Sequence, residues 1–144
     1  MSFVDITHAR FDDQKEVMEQ IIRDGVCPFC PENLRRYHKQ VIHLEGDHWI
    51  LTDIQWPREN TRVHLLIIYR QHAESLSDIS PEAGRELIQF LQWAEEHFGV
   101  KGGALFLRFG DTSYSGATVK HLHVQLVVPD MEKSDFQPVR FKVG

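Results

Sequence analysis

The run His121-Leu122-His123-Val124-Gln125-Leu126-Val127-Val128 admits few local structures. Polar and apolar side chains alternate through its first six positions, the period of a strand with one face buried. In such a strand His121, His123 and Gln125 project together, while Leu122, Val124 and Leu126 turn to the core. Two imidazoles and an amide in a row are poor packing material. As chemistry, they read as a nucleophile flanked by groups that orient it and its substrate.

The rest of the chain sets bounds on that chemistry. With 144 residues it can bury a real core, and residues 1–144 are expected to form a single domain. The formal net charge of -5 argues against broad binding to nucleic acid or a membrane surface. An anionic small substrate stays open, because local basic groups decide that. Met1-Ser2-Phe3-Val4-Asp5 lacks the basic-then-apolar order of a signal peptide, and no apolar run is long enough to span a bilayer. Both cysteines of the chain lie in Cys27-Pro28-Phe29-Cys30, which fits a metal or redox pair in a reducing cytoplasm better than a secreted disulfide scaffold. A cytoplasmic protein without nucleic-acid or membrane partners is the expectation.

Asp12 and Asp13 are placed to cap a helix running to about Asp24, with Val17, Met18, Ile21 and Ile22 as its apolar stripe and Gly25 at its end. After the cysteine knuckle comes a polar stretch with Arg35, Arg36 and Lys39, read as solvated surface. Trp49 to Asp53 reads as a strand, and Gln55 to Thr61 as a loop. Val63 to Tyr69 is apolar on both faces apart from His64, hence a central strand. Ser80 as N-cap and Pro81 in the first turn start the clearest helix. Leu87, Ile88, Leu91, Ala94 and Phe98 are expected on its buried side, with Gly99 closing it. Ala104 to Phe109 is a further strand, and Gly110 to Lys120 a small-residue loop into the histidine strand. The tail from Phe136 to Val143 reads as a last strand, placed at an edge by Pro138. This mixture predicts an α+β fold with a mostly antiparallel sheet, a long helix and an N-terminal helix.

Cys-Pro-Phe-Cys is similar to a glutaredoxin redox motif, but here a helix precedes the pair and Pro31 follows it. A zinc knuckle is the better reading: two thiolates, with imidazoles completing a tetrahedron. Nine histidines leave the other two ligands ambiguous from spacing alone. His72, at the end of the central strand, and His121 are the choices, with His43 and His48 as surface or packing alternatives. Such a site would tie the knuckle to the sheet and be structural.

These residues together resemble the histidine-triad (HIT) superfamily. The similarity runs from Cys27 to Val128 and is carried by Cys27-Pro-Phe-Cys30-Pro, Tyr69-Arg70-Gln71-His72 and Gly116-Ala117-Thr118-Val119-Lys120-His121-Leu122-His123-Val124-Gln125. Gln125 departs from the family's third histidine. That departure is similar to the galactose-1-phosphate uridylyltransferase branch and to some diadenosine polyphosphate phosphorylases, though the chain is too short for a full uridylyltransferase. The resemblance supports Cys27, Cys30, His72 and His121 as zinc ligands. It implies a homodimer that meets through the long helix and its adjacent strand, and a nucleotide substrate. His123 would attack an α-phosphate and hold the nucleotidyl group, its other nitrogen held by an acceptor such as a backbone carbonyl. Gln125, Thr118 and the backbone around Ser115 and Gly116 would meet phosphoryl oxygens. Asp53 would accept from ribose hydroxyls, and Ile54 and Trp56 would wall a base. Asp111 stands where the family usually has asparagine, and an acid there repels phosphate unless a cation or substrate amine meets it. Arg58, Lys120 and Arg70 are candidates for distal phosphates.

The function implied is nucleotidyl hydrolysis or transfer through a covalent nucleotidyl-histidine. The alternatives are a non-catalytic nucleotide-binding or sensing module on the same fold and a structural zinc protein without a nucleotide site.

Overall fold

The structure, a computed structural model, describes residues 2–144. Strand β3 (Thr61–Tyr69) is apolar on both sides, and it lies at the centre of a five-stranded sheet. Its neighbours are β2 (Trp49–Asp53) and β5 (His123–Pro129), with β1 (Ile42–Glu45) and β4 (Ala104–Leu107) at the edges. Every pairing is antiparallel, which confirms the α+β class.

The sheet's two faces carry different work. Val63, Leu65, Ile67 and Tyr69 join Leu122, Val124 and Leu126 under helix α3 (Pro81–His97). This is the largest buried apolar cluster, and each fully buried Leu or Ile in it contributes roughly 2 kcal/mol. The opposite face, with His64, Leu66, Ile68, His123 and Gln125, is therefore free to carry polar groups. Covering it are helix α1 (Asp12–Asp24), helix α2 (Pro31–Tyr37) and the N-terminal segment, which pairs Val4 with Val119.

Local chemistry explains the helix ends. Ser80 Oγ accepts from the Ala83 N–H at 3.1 Å at the start of α3, and Gly25, at φ +66°, ends α1 in the left-handed region. From α3, the Glu86 carboxylate accepts from the N–H groups of Asp47, His48 and Trp49 at 2.7–2.9 Å, fixing the β1–β2 turn. A side chain at Gly46 would collide with that carboxylate.

Several expectations need correction. Residues 136–143 form no strand; Pro138 lacks an N–H, and the tail instead lays the Phe141 ring on Phe106, 4.2 Å between centroids. The strand expected over Ala104–Phe109 ends at Leu107, and regular β5 pairing starts at His123, not His121. The alternation still holds through the irregular residues, because Leu122 bonds through its backbone to Tyr69 and Ala73. The polar stretch after the knuckle contains α2, and β1 is a strand the pattern did not reveal. Asp12 and Asp13 lie in the first turn of α1 with Phe11 as its cap. Ile22 and Ile88 face outward, 43% and 54% exposed. Among the described residues, no helix is long and apolar enough to cross a membrane.

Candidate active site

His123 is buried at the start of β5, and its Nδ1 lies 2.8 Å from the carbonyl oxygen of His121. A carbonyl only accepts, so Nδ1 carries the proton and Nε2 keeps its lone pair. Burial holds the imidazole below its ordinary pKa, so it is neutral at pH 7. The Phe29 ring meets it edge-on, 5.2 Å between centroids. A neutral imidazole with one fixed proton is a nucleophile in waiting.

Two residues along the same face, Gln125 is held by His64. The Arg58 N–H donates to His64 Nδ1 at 3.1 Å, so His64 bears its proton on Nε2, which donates to Gln125 Oε1 at 2.7 Å. The Gln125 oxygen is thereby occupied and its NH₂ group is the one left to donate. Burial pushes His64 down to about 4, keeping it neutral in this role.

Both side chains line a cavity of about 940 Å³, a volume that includes its open mouth. Its apolar lining includes Phe29, Ile54, Leu66, Met18 and Ile21. His38 is one of its polar lining residues. The Thr52 hydroxyl donates to the Val41 carbonyl at 2.6 Å, so His38 Nε2–H donates to Thr52 at 2.7 Å and its Nδ1 is an acceptor. Its basic lining residues are Arg10, Arg58 and Arg108.

Behind Phe29 lies a second cluster. One ligand atom from each of Cys27, Cys30, His72 and His121 falls within a group no wider than 4.8 Å. His121 Nδ1 is 3.3 Å from Cys27 Sγ, and His72 Nδ1 is 3.5 Å from Cys30 Sγ. Tetrahedral zinc with ordinary Zn–S and Zn–N bonds puts sulfur and nitrogen about 3.5 Å apart, so the donor set fits that ion. Both rings turn Nδ1 inward, while Nε2 of His121 meets the Tyr69 carbonyl and Nε2 of His72 meets Glu74 at 3.2 Å. Such outer contacts fix the tautomer a metal ligand needs. Without a cation, burial and the neighbouring Cys27 thiol push the Cys30 thiol up to about 12.

Of the sequence-expected residues, Ile54, Gly116, Thr118, Trp56 and Arg58 line the cavity with His123 and Gln125. Others do not. Asp53 pairs with His43 at 3.0 Å on the helix-covered face, in register with Leu65. Asp111 caps the short helix α4 (Thr112–Ser115), accepting from the Ser113 N–H and hydroxyl, which hold its carboxyl below the usual range. The Ser115 hydroxyl accepts from the Ala117 N–H at 3.2 Å. Arg70 is turned to the Gly46 carbonyl at the far hairpin. Arg10, Arg108 and His38 were given no role by the sequence reading. His64 had a visible signal, a lone polar residue in an apolar central strand.

A family model described as "HIT domain" matches residues 35–132, more than half of the sequence. The chain belongs to the HIT domain family. Solved structures agree with that assignment in fold. This HIT chain is similar to a zinc-bound histidine triad family protein from Mycobacterium smegmatis, at 23% identity and TM-score 0.56, covering 80% of this chain and 82% of that one. It is similar to a HIT family hydrolase from Clostridium thermocellum, at 27% identity and TM-score 0.55, covering 78% and 94%. A HIT family protein from Bacillus anthracis matches at 21% identity and TM-score 0.57, covering 81% and 82%. No curated protein matches the chain.

Proposed function

We propose that this HIT domain protein is a nucleotidyl hydrolase or transferase that passes a nucleotidyl group through His123. The observation that carries the reading is the tautomer of His123. Its proton is committed to the His121 carbonyl, and its nucleophilic nitrogen is free beside a cavity lined by both apolar and basic residues. The base would lie against Phe29, Ile54 and Leu66. The Gln125 NH₂ group and the Thr118 hydroxyl would donate to phosphoryl oxygens as charge gathers there. The role implied for Asp53 requires its carboxylate to leave His43, and Asp111 and Ser115 would act on substrate only by releasing their local partners.

Zinc in the Cys27, Cys30, His72, His121 cluster would be structural, and the donor spacing supports that choice. The zinc-bound relative fits the same reading. Bound there, the metal would supply rigidity to the knuckle that carries Phe29. The His-x-His-x-Gln pattern supports a reading as a single-domain protein similar to the uridylyltransferase and diadenosine polyphosphate phosphorylase branch. A homodimer is supported by β4, an edge strand whose Leu105 is 50% exposed, and by Ile88 on α3. Sedimentation of the wild type against Leu105→Lys tests it: a dimer that dissociates supports the interface, and an unchanged mass removes it.

Intact-mass and peptide spectra after brief mixing with adenosine, guanosine and uridine nucleotides test the catalytic reading. A nucleotidyl adduct on His123 is expected, lost in His123→Ala. Nucleotide binding without turnover or adduct would make the protein a sensing module instead.

A further inference from the structure

Residues 2–24 precede the matched HIT region, which begins at residue 35, yet they build part of the cavity beside His123. Val4, Arg10, Gln14, Met18 and Ile21 all line it. The segment packs through an apolar cluster of its own, in which Val4, Met18 and Ile21 meet Tyr37. Neither sheet-face cluster includes any of these residues. Near its start, the Asp5 N–H donates to the Thr118 carbonyl and the Lys120 N–H to the Phe3 carbonyl, both at 2.8 Å. These two bonds frame the bridge between Val4 and Val119. The Thr112 hydroxyl donates to the Asp5 carboxylate at 2.9 Å. At the surface, Arg10 donates to the Trp56 carbonyl at 2.7 Å and the Trp56 indole donates to Asp13 at 3.0 Å.

The far end of the segment is a turn beside a fixed point. Helix α1 stops at Gly25, whose φ of +66° suits glycine, and Cys27 follows two residues later. The Cys27 carbonyl accepts from Asn33 Nδ2 at 2.9 Å, and its thiol stands in the cysteine–histidine cluster. Residue 25 is therefore where α1 can swing. On the cavity side of α1, Gln14 is 7% exposed. Its Oε1 accepts from the Arg10 N–H at 2.8 Å, which leaves the NH₂ group to donate. Among the described residues nothing accepts from that group, and no fully enclosed polar side-chain atom goes unpaired, so the nitrogen opens on the cavity. A donor so placed gains its hydrogen bond when a ligand arrives.

On the reading that this cavity takes a nucleotide, we propose that residues 2–24 are a hinged wall, which a ligand closes through the Gln14 amide. Open, the wall releases Val119 and Trp56, while Asp24 beside the hinge keeps the Tyr37 hydroxyl. Both sheet-face clusters stay intact. What is broken is local, a few buried side chains and backbone bonds, so the segment opens well below the free energy of global unfolding. Closed, the wall restores the bond from Asp5 to the Thr118 carbonyl, three residues before His121. It also shuts bulk water out of the space where His123, 6% exposed, meets its ligand. The segment thus adds control of entry and release to the HIT domain, and leaves the chemistry to His123.

Hydrogen exchange of the native protein, read by mass spectrometry with AMP and UMP as probes, is the test. Without nucleotide, peptides from residues 3–24 should exchange at least about tenfold faster than those of β3. Saturating nucleotide should slow them and leave β3 unmoved. Exchange as slow as that of β3, or unchanged by either nucleotide, would overturn the hinged wall. Gln14→Met, which keeps the length of the side chain and removes the donor, should lose most of that slowing at matched occupancy; full slowing would strip the amide of its part. A lock gives a second measurement. Val4 and Val119 oppose each other without bonds of their own, the close pairing of an antiparallel ladder, so Val4→Cys/Val119→Cys can form a disulfide. The oxidised protein should bind nucleotide at least about tenfold more slowly than the same protein reduced. Equal association rates at equal circular dichroism would remove the control of entry. Ligand-dependent closure without any adduct on His123 would leave the wall standing and the transfer reading fallen. An adduct formed behind a wall that never opens would do the reverse.

Discussion

His64 and Gln125 are joined side chain to side chain across neighbouring strands, Nε2 to Oε1 at 2.7 Å. The bond selects one of the two orientations an amide can take, and the choice propagates from a backbone N–H at Arg58. His64 is thus a positioning residue for the group argued to meet the phosphate. His64→Ala should lower kcat about tenfold with KM nearly unchanged, because the amide is then free to present its oxygen to an anion. His64→Asn, whose side chain can donate, should recover part of the loss. A variant with native kcat would remove the positioning role.

Gln125→His tests how the acceptor is chosen. An imidazole there can take a proton from water, which an amide cannot. Hydrolysis without added phosphate should rise, and the advantage of phosphate over water should shrink. Rates measured with and without phosphate for both proteins check this, and a variant no faster in water would refute it.

Acid should destabilise the fold before it affects most carboxylates. The folded pKa of His64 is depressed from 6.5 to about 4 by burial, so the unfolded chain binds the extra proton first. Its contribution is complete above pH 6.5, falls as the pH drops, and is gone near pH 4, a loss of about 3 kcal/mol at most. Denaturant midpoints of wild type and His64→Gln at pH 7 and 5 measure it; the wild type should lose more. The acid limb of the rate should likewise lie below the ordinary imidazole value of 6.5, since burial depresses His123 too.

Metal removal should reach the nucleophile. Phe29 lies between the two cysteines in sequence and edge-on to both His121 and His123. Protein as purified should carry about one zinc per chain. Chelation should lower Tm by roughly 5–10 °C and slow adduct formation, both restored by zinc. No metal after zinc-supplemented expression would defeat the cluster's assignment.

What could be read from the sequence was local and periodic. Strand β5 and helix α3 announce themselves through alternation and through Ser80-Pro81 at a helix start. Helix α2 does not, because Leu34 and Tyr37 are its only buried positions, too few to show a period. The tail misleads because Phe136, Val139 and Phe141 look like an edge strand, while Phe141 is satisfied by packing at a tilt against Phe106. The site divides the same way. His121, His123 and Gln125 share one strand's geometry and were legible together. Arg10, His38 and Arg108 come from three distant segments, and only tertiary packing brings them to one cavity. Asp53 shows the converse: its position at a strand end is readable from the sequence, but the pleat turns its carboxylate to His43 on the opposite face of the sheet from the cavity.

Residue 121 answers to two masters within one amino acid. Its ring stands in the cysteine–histidine cluster, and its peptide oxygen holds the proton of His123. Any shift of that residue alters the nucleophile's tautomer as well as the cluster, so the two centres cannot drift apart under selection one at a time. An engineer seeking a metal-independent version would rebuild at 27, 30 and 72 with apolar side chains and leave the main chain at 121 untouched.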